Sequence, residues 1–136
     1  MCSSLRIMII EDEAIIALGL KKSLTDLGHH VQSMVGSGQE ALELISKVQP
    51  DLIFIDIKLP GELNGIETAH FINENYKIPI IICTGCSSRE VLDNCKKCNS
   101  SGILFKPYND NLLADEIKSA VSKYKNNNLK TETYKR

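Results

Sequence analysis

Leu52-Ile53-Phe54-Ile55-Asp56 decides the reading of this chain: four consecutive apolar residues, too few for a buried helix, stop at a carboxylate. The same form recurs at Ile7-Met8-Ile9-Ile10, which runs into Glu11-Asp12-Glu13, and at Ile80-Ile81-Ile82-Cys83, which runs into Thr84-Gly85. A shorter version, Ile103-Leu104-Phe105, runs into Lys106-Pro107. Segments apolar on both faces are typical strands of a parallel sheet covered by helices on each side. His30–Val35 is less apolar and is expected to be an edge strand.

Helical stripes fill the intervals. Ala17, Leu20, Leu24 and Leu27 recur at three- and four-residue steps and stop at Gly28. Ala41, Leu44, Ile45 and Val48 follow a Ser37-Gly38 start and end before Pro50. Ile66, Ala69 and Ile72 mark a third helix closed before Pro79, and Val91, Cys95 and Cys98 a fourth. Leu113, Ile117, Ala120, Val121 and Tyr124 give a fifth, opening at Asn109-Asp110. The alternation predicts a doubly wound α/β domain with five strands and five flanking helices.

The chain has 136 residues, enough for one sizeable core, expected over 1–125. Apolar residues make up 43% and charged residues 24%, and the net charge of −1 gives no overall attraction to nucleic acid or membrane. Through residue 120 there are 11 Lys/Arg against 16 Asp/Glu; beyond it the counts are 5 and 1. Residues 126–136 therefore read as a polar basic tail or linker stub. No apolar run approaches the ~18 residues of a membrane span, and Met1-Cys2-Ser3-Ser4 lacks the regions of a signal peptide. With an odd number of cysteines, five, the expected compartment is the reducing cytoplasm.

The chemistry gathers at the strands' carboxyl ends, where open α/β sheets place their functional crevice. Folding would bring Glu11, Asp12 and Asp56 together with the Thr84 hydroxyl and the Lys106 amine. Two unit charges ~4 Å apart cost about 4 kcal/mol at an effective dielectric of ~20, a cost that a hard divalent cation removes. Oxygen-only ligands suit Mg²⁺. A carboxylate can attack a phosphoryl group and hold it as an acyl phosphate, a reaction that needs mainly positioning and charge neutralisation. Each residue has a plainer use: the acidic turn favours a helix N-terminus, an Asp after a strand caps a helix, and a lone lysine is solvated. Four strand ends carrying the complementary set for one reaction outweigh those separate readings.

Together, Met8-Ile9-Ile10-Glu11-Asp12-Glu13, Ile53-Phe54-Ile55-Asp56-Ile57-Lys58-Leu59-Pro60 with Asn64-Gly65-Ile66-Glu67, Ile81-Ile82-Cys83-Thr84-Gly85 and Gly102-Ile103-Leu104-Phe105-Lys106-Pro107-Tyr108 resemble the response-regulator receiver family. The resemblance runs from about Arg6 to Tyr124. It implies a flavodoxin-like sheet of order 2-1-3-4-5 and Asp56 as phosphoacceptor from a histidine kinase or histidine phosphotransfer protein. It further implies Asp12 and Asp56 as direct Mg²⁺ ligands, Glu11 through water, and the Lys58 backbone carbonyl as a further ligand. Thr84 and Lys106 would move toward the phosphoryl oxygens, and the Lys106–Pro107 bond is expected to be cis. A downstream protein would read the face made by the fourth helix, fifth strand and fifth helix, with the chain a monomer or a phosphorylation-dependent dimer. No catalysis is expected beyond autophosphorylation and autodephosphorylation. Phosphorelay shuttling, or a receiver belonging to a longer regulator or hybrid kinase, are the alternatives.

Three positions depart from the family pattern. Ile103 stands where an aromatic residue is usual, leaving Phe105 for core packing or Tyr108 as a contributor. The loop from Leu59 to Gly65 is one residue longer than the commonest form. Lys58 sits two residues past the acceptor and is expected to alter the phosphoryl lifetime.

Other chemistries fit less well. Cys83-Thr84-Gly85-Cys86 and Cys95-Lys96-Lys97-Cys98 form two CxxC pairs, but the commoner spacing between zinc-binding pairs is ~15–20 residues. Cys83, Cys95 and Cys98 instead fit apolar patterns as structural thiols. A nucleotide or flavin site would want a glycine-rich first turn, not an acidic one. An aspartyl-phosphate phosphatase would want a carboxylate where Lys58 stands. His29, His30 and His70 have no ligand spacing and are expected at the surface.

Overall fold

The computed structural model of the chain describes residues 4–85, 89–97 and 100–134, with 126–134 as backbone alone. Strands β1 (Arg6–Ile10), β2 (His30–Val35), β3 (Leu52–Asp56), β4 (Ile80–Thr84) and β5 (Gly102–Phe105) alternate with helices α1 (Ala14–Asp26), α2 (Gly38–Val48), α3 (Gly65–Asn75), α4 (Arg89–Lys97) and α5 (Asp110–Tyr134). All strand pairs are parallel, in the order β2-β1-β3-β4-β5. Both the order and the element sequence are those expected.

The apolar strands are apolar on both faces because each face has its own core. Ile7, Ile9, Leu52, Phe54, Ile81 and Cys83 pack with Ala17, Leu20 and Leu24 of α1 and Leu113, Ile117 and Ala120 of α5. Their alternates Met8, Ile10, Ile53, Ile55, Ile80 and Ile82 pack with Ala41 and Ile45 of α2, Ala69 and Ile72 of α3 and Cys95 of α4. At the sheet edge, β2 has no fully buried residue. Cys83 and Cys95 are buried on opposite sides of the sheet, which keeps them out of any shared metal site. Cys86 and Cys98 lie outside the described residues.

Local signals fix the helix ends. The Ser37 hydroxyl accepts the Glu40 N–H (3.2 Å), and Asn109 Oδ1 accepts the Leu112 N–H (2.8 Å). Asn64 and Glu67 form a reciprocal capping box at α3. Gly28, at φ 94°, closes α1 in a conformation that side chains resist. Lys125 to Tyr134 contain neither glycine nor proline, and the helical backbone of α5 continues through them. Among the described side chains of α5, Val121 is the last packed against the core.

Two expectations need correction. Phe105 is not core packing: it is 41% exposed at the end of β5, whereas Ile103, two residues earlier on the same face, packs against the α2–α3–α4 side. His30 and His70 are exposed as expected, but His29 is half-buried, and its Nδ1 accepts the Leu5 N–H (3.1 Å). Burial lowers the His29 pKa below 6.5, because desolvation disfavours the charged ring, and only the neutral ring can accept this bond at Nδ1. The bond therefore contributes fully above the unfolded value near 6.5 and is lost as pH falls through the folded value. Denaturation curves between pH 7 and 5 should show His29→Phe losing less stability on acidification than wild type, by about 0.5–1.5 kcal/mol. Equal acid sensitivity in the two proteins would leave His29 without this role.

Candidate functional site

The sheet's order reverses at β1, whose neighbours β2 and β3 leave in opposite directions. A crevice opens there beyond the strands' carboxyl ends. β1 delivers Glu11 and Asp12 into it, and β3 delivers Asp56. One carboxylate oxygen from each of the three lies within 4.8 Å of the others. From the end of β5, Lys106 Nζ donates to Glu11 Oε1 at 3.0 Å and to Asp56 Oδ2 at 3.4 Å. Thr84 is buried at the end of β4, and its carbonyl accepts the Lys106 N–H at 2.8 Å, which fixes the two strand ends side by side. A cleft of about 360 Å³ is lined by Asp12, Glu13, Asp56, Ile57, Lys58, Thr84, Gly85 and Lys106.

Charge is out of balance in this crevice. Burial and the hydrogen bond with Asp56 push Glu11 up to about 7, while Lys106 and the Glu13 N–H pull it the other way. Burial alone would push Lys106 down. The Glu11 hydrogen bond and the charges of Asp56 and Glu11 outweigh it and hold the amine above its ordinary value. One amine thus serves two carboxylates, with Asp12 exposed beside them. Three hard oxygen donors of like charge, converging with a single cationic partner, form a donor set that fits a small divalent ion. Cys83, directly across from Asp56 on β4, has its thiol pushed up to about 12 by burial and is a packed, unreactive group.

The plainer uses of these residues are not the ones adopted. Glu13 stands at the N-cap of α1, yet its side chain makes no capping bond. Glu11 instead turns Oε2 to the Glu13 N–H at 3.3 Å. Asp56 does not cap α3, which Asn64 serves; its Oδ1 accepts the Lys58 N–H at 3.1 Å. That turn aims the Asp56 carboxylate into the crevice and sets Lys58 on its rim.

Gly65 was outside the candidate set, although it governs where Asp56 sits. Its N–H donates to the Ile57 carbonyl (3.1 Å), and a Cβ there would collide with the Asp56 carbonyl oxygen and lie 2.7 Å from Ile57 Cα. All three obstacles nearest that Cβ are backbone, so none can swing aside. Gly65→Ala should lower stability by at least about 1–3 kcal/mol in urea denaturation. A loss below a few tenths would mean that α3 shifts freely against β3. Glu13 also lines the cleft and was outside the candidate set; the signal was its place directly after Asp12.

The structure gathers Glu11, Asp12, Asp56, Lys58, Thr84 and Lys106 at one edge, as the strand ends predict. Similar sequences and folds occur among known proteins. The description "Response regulator receiver domain" matches residues 7–118. The transcriptional regulatory protein PdtaR of Mycobacterium tuberculosis is 33% identical over 120 residues, 88% of this chain; the chain spans 58% of PdtaR's length. Sporulation initiation phosphotransferase F of Bacillus subtilis is 30% identical over 122 residues, covering 88% of this chain and 92% of that protein. The crystal structure of the signal receiver domain of a modulated diguanylate cyclase from Desulfovibrio desulfuricans superposes with a TM-score of 0.84 at 32% identity, covering 90% of this chain and 98% of that one. With the family match running from β1 into α5, and a relative 30% identical over 92% of its own length, the chain belongs to the response regulator receiver domain family, phosphorylatable signalling domains of two-component systems.

Proposed function

We propose that Asp56 is the phosphoacceptor of this receiver and that Glu11, Asp12, Asp56 and the Lys58 backbone carbonyl hold Mg²⁺. The observation that carries the reading is the convergence of three carboxylates at the sheet's switch point, two of them, Glu11 and Asp56, paired with the Lys106 amine. An Asp56 carboxylate oxygen attacks phosphorus; the P–N bond of a phosphohistidine breaks, and its electron pair returns to the imidazole, which takes up a proton. The new bond is the C–O–P linkage of a mixed anhydride. Lys106 turns from Glu11 toward a phosphoryl oxygen, and the Thr84 hydroxyl donates to another. The bound ion supplies charge neutralisation to those oxygens. Hydrolysis reverses the state when water attacks phosphorus and the carboxylate leaves.

The partners proposed are a histidine kinase or histidine phosphotransfer protein on the donor side. A downstream protein reads the α4–β5–α5 face once the singly charged Asp56 carboxylate has become an acyl phosphate carrying about −1.5 to −2 charge. The chain is a cytoplasmic monomer or phosphorylation-dependent dimer with no direct role at nucleic acid or membrane. Among the described residues no helix is long and apolar enough to cross a membrane. The domain ends near residue 125, and its chemistry is confined to its own phosphoryl group.

Incubation with ³²P-labelled histidine phosphotransfer proteins and Mg²⁺ tests the donor side. Label should move onto the chain only with the metal present. Return of label to a second histidine protein would mark a relay shuttle, whereas loss to water alone marks a terminal switch. No transfer from any donor would remove the reading. Lys58, on the cleft rim, should shield the anhydride with its alkyl stem. In Lys58→Ala the acyl phosphate should decay about three- to tenfold faster; an unchanged half-life would take Lys58 out of the mechanism.

A further inference from the structure

β5 is an edge strand, and its backbone alternates between β4 and open space. The Lys106 N–H points inward to Thr84, so the Ile103 N–H, an odd number of residues away, points outward. It is not left to solvent. Glu116, two turns into α5, places Oε1 3.2 Å from it. This is the one hydrogen bond between β5 and α5 among the described residues. The neighbouring residue makes room for it: a Cβ at Gly102 would collide with Glu116 Oε1 and lie 3.5 Å from Ala120 Cβ. A glycine in a short strand is a weakness unless something approaches closely, and here the approaching group is this carboxylate. Three residues further on, just past the end of this strand, stands Lys106, bonded to Glu11 and Asp56.

We infer that Glu116 is a positioning residue that ties α5 to the strand carrying Lys106, so that a pull on Lys106 reaches the surface of α5 through the Ile103 amide. The inference rests on the Asp56 reading. A phosphoryl group on Asp56 draws the amine away from Glu11, and β5 has only four residues over which to absorb the displacement. The end of β5 is held to β4 by backbone pairing; toward α5, Leu104 packs in one core with Leu113, Ile117 and Ala120, and the outward-facing backbone makes the single hydrogen bond to Glu116. That bond is the element free to lengthen. Ile103, half-buried against the α2–α3–α4 side, is aliphatic and β-branched and offers no aromatic ring to move in its place.

The test is amide hydrogen exchange at Ile103 by NMR in wild type, Glu116→Gln and Glu116→Ala, each with Mg²⁺, before and after phosphoramidate, with intact mass recording the adduct. In wild type the Ile103 amide should exchange about tenfold faster once phosphorylated. Glu116→Ala should show the fast rate already and respond no further. Glu116→Gln keeps an acceptor oxygen and should recover the wild-type response. If wild-type exchange at Ile103 is the same with and without the adduct, Glu116 merely guards the sheet edge and the inference is overturned. A response in Glu116→Ala equal to wild type overturns it as well. Protein that gains no adduct at all would instead strike the Asp56 reading, and with it the switch built on it.

Discussion

Asp56→Asn is expected to lose acyl-phosphate formation by more than ~10²-fold in rate while keeping the fold. The amide has the same shape as the carboxylate and can still accept the Lys58 N–H. It is a far poorer nucleophile toward phosphorus and cannot form the mixed anhydride. Stability should not fall, because the substitution removes one of three carboxylates whose oxygens lie within 4.8 Å of one another. Lys106 retains Glu11 at 3.0 Å as its nearer partner. Removing a like charge at such separations is worth on the order of 1 kcal/mol or more, so the metal-free variant should melt no lower than wild type. The comparison is made by labelled phosphotransfer alongside thermal melts. A variant that melts normally yet still takes up phosphate at a similar rate would place the acceptor elsewhere.

Lys106→Met separates charge stabilisation from metal holding. Methionine keeps length and apolar stem but removes the cation that bridges Glu11 and Asp56. The phosphorylation rate should fall by about 10²–10³-fold, as when a preorganised donor to developing negative charge is lost. Divalent affinity should hold or rise, since the amine competes with the ion for the same oxygens. The two readouts therefore move apart: slower transfer at equal or tighter Mg²⁺ binding. If both collapse together, Lys106 acts by holding the crevice in shape, and its proposed place at the phosphoryl group fails.

Much of this could be read from strand ends. Ile7–Ile10, Leu52–Ile55 and Ile80–Cys83 announce a parallel sheet because both of their faces are apolar, and the helices between them leave few alternatives. The polar residue after each run then falls at one edge of the sheet by topology alone. Side-chain environments set by distant neighbours were not legible. Phe105 reads as core because it is aromatic and ends an apolar strand, yet it lies beyond helix coverage at the strand tip. His29 reads as a surface turn residue, but the partner for its Nδ1 is a backbone amide 24 residues away. Gly65 reads as a helix start, and only the folded chain shows the Asp56 carbonyl pressed against it. Glu116 carries no local signal either, since the amide it meets is 13 residues earlier on another element.

The central claim is that one carboxylate, Asp56, forms a phosphoanhydride with the help of a divalent ion. Its most direct test is intact-mass and peptide-mapping spectrometry of the protein after phosphoramidate and Mg²⁺ treatment, with a matched EDTA control. A gain of ~80 Da is expected, confined to the peptide holding Asp56 and absent when the ion is chelated. A gain at another residue, an equal gain in EDTA, or no gain with both reagents present would contradict it.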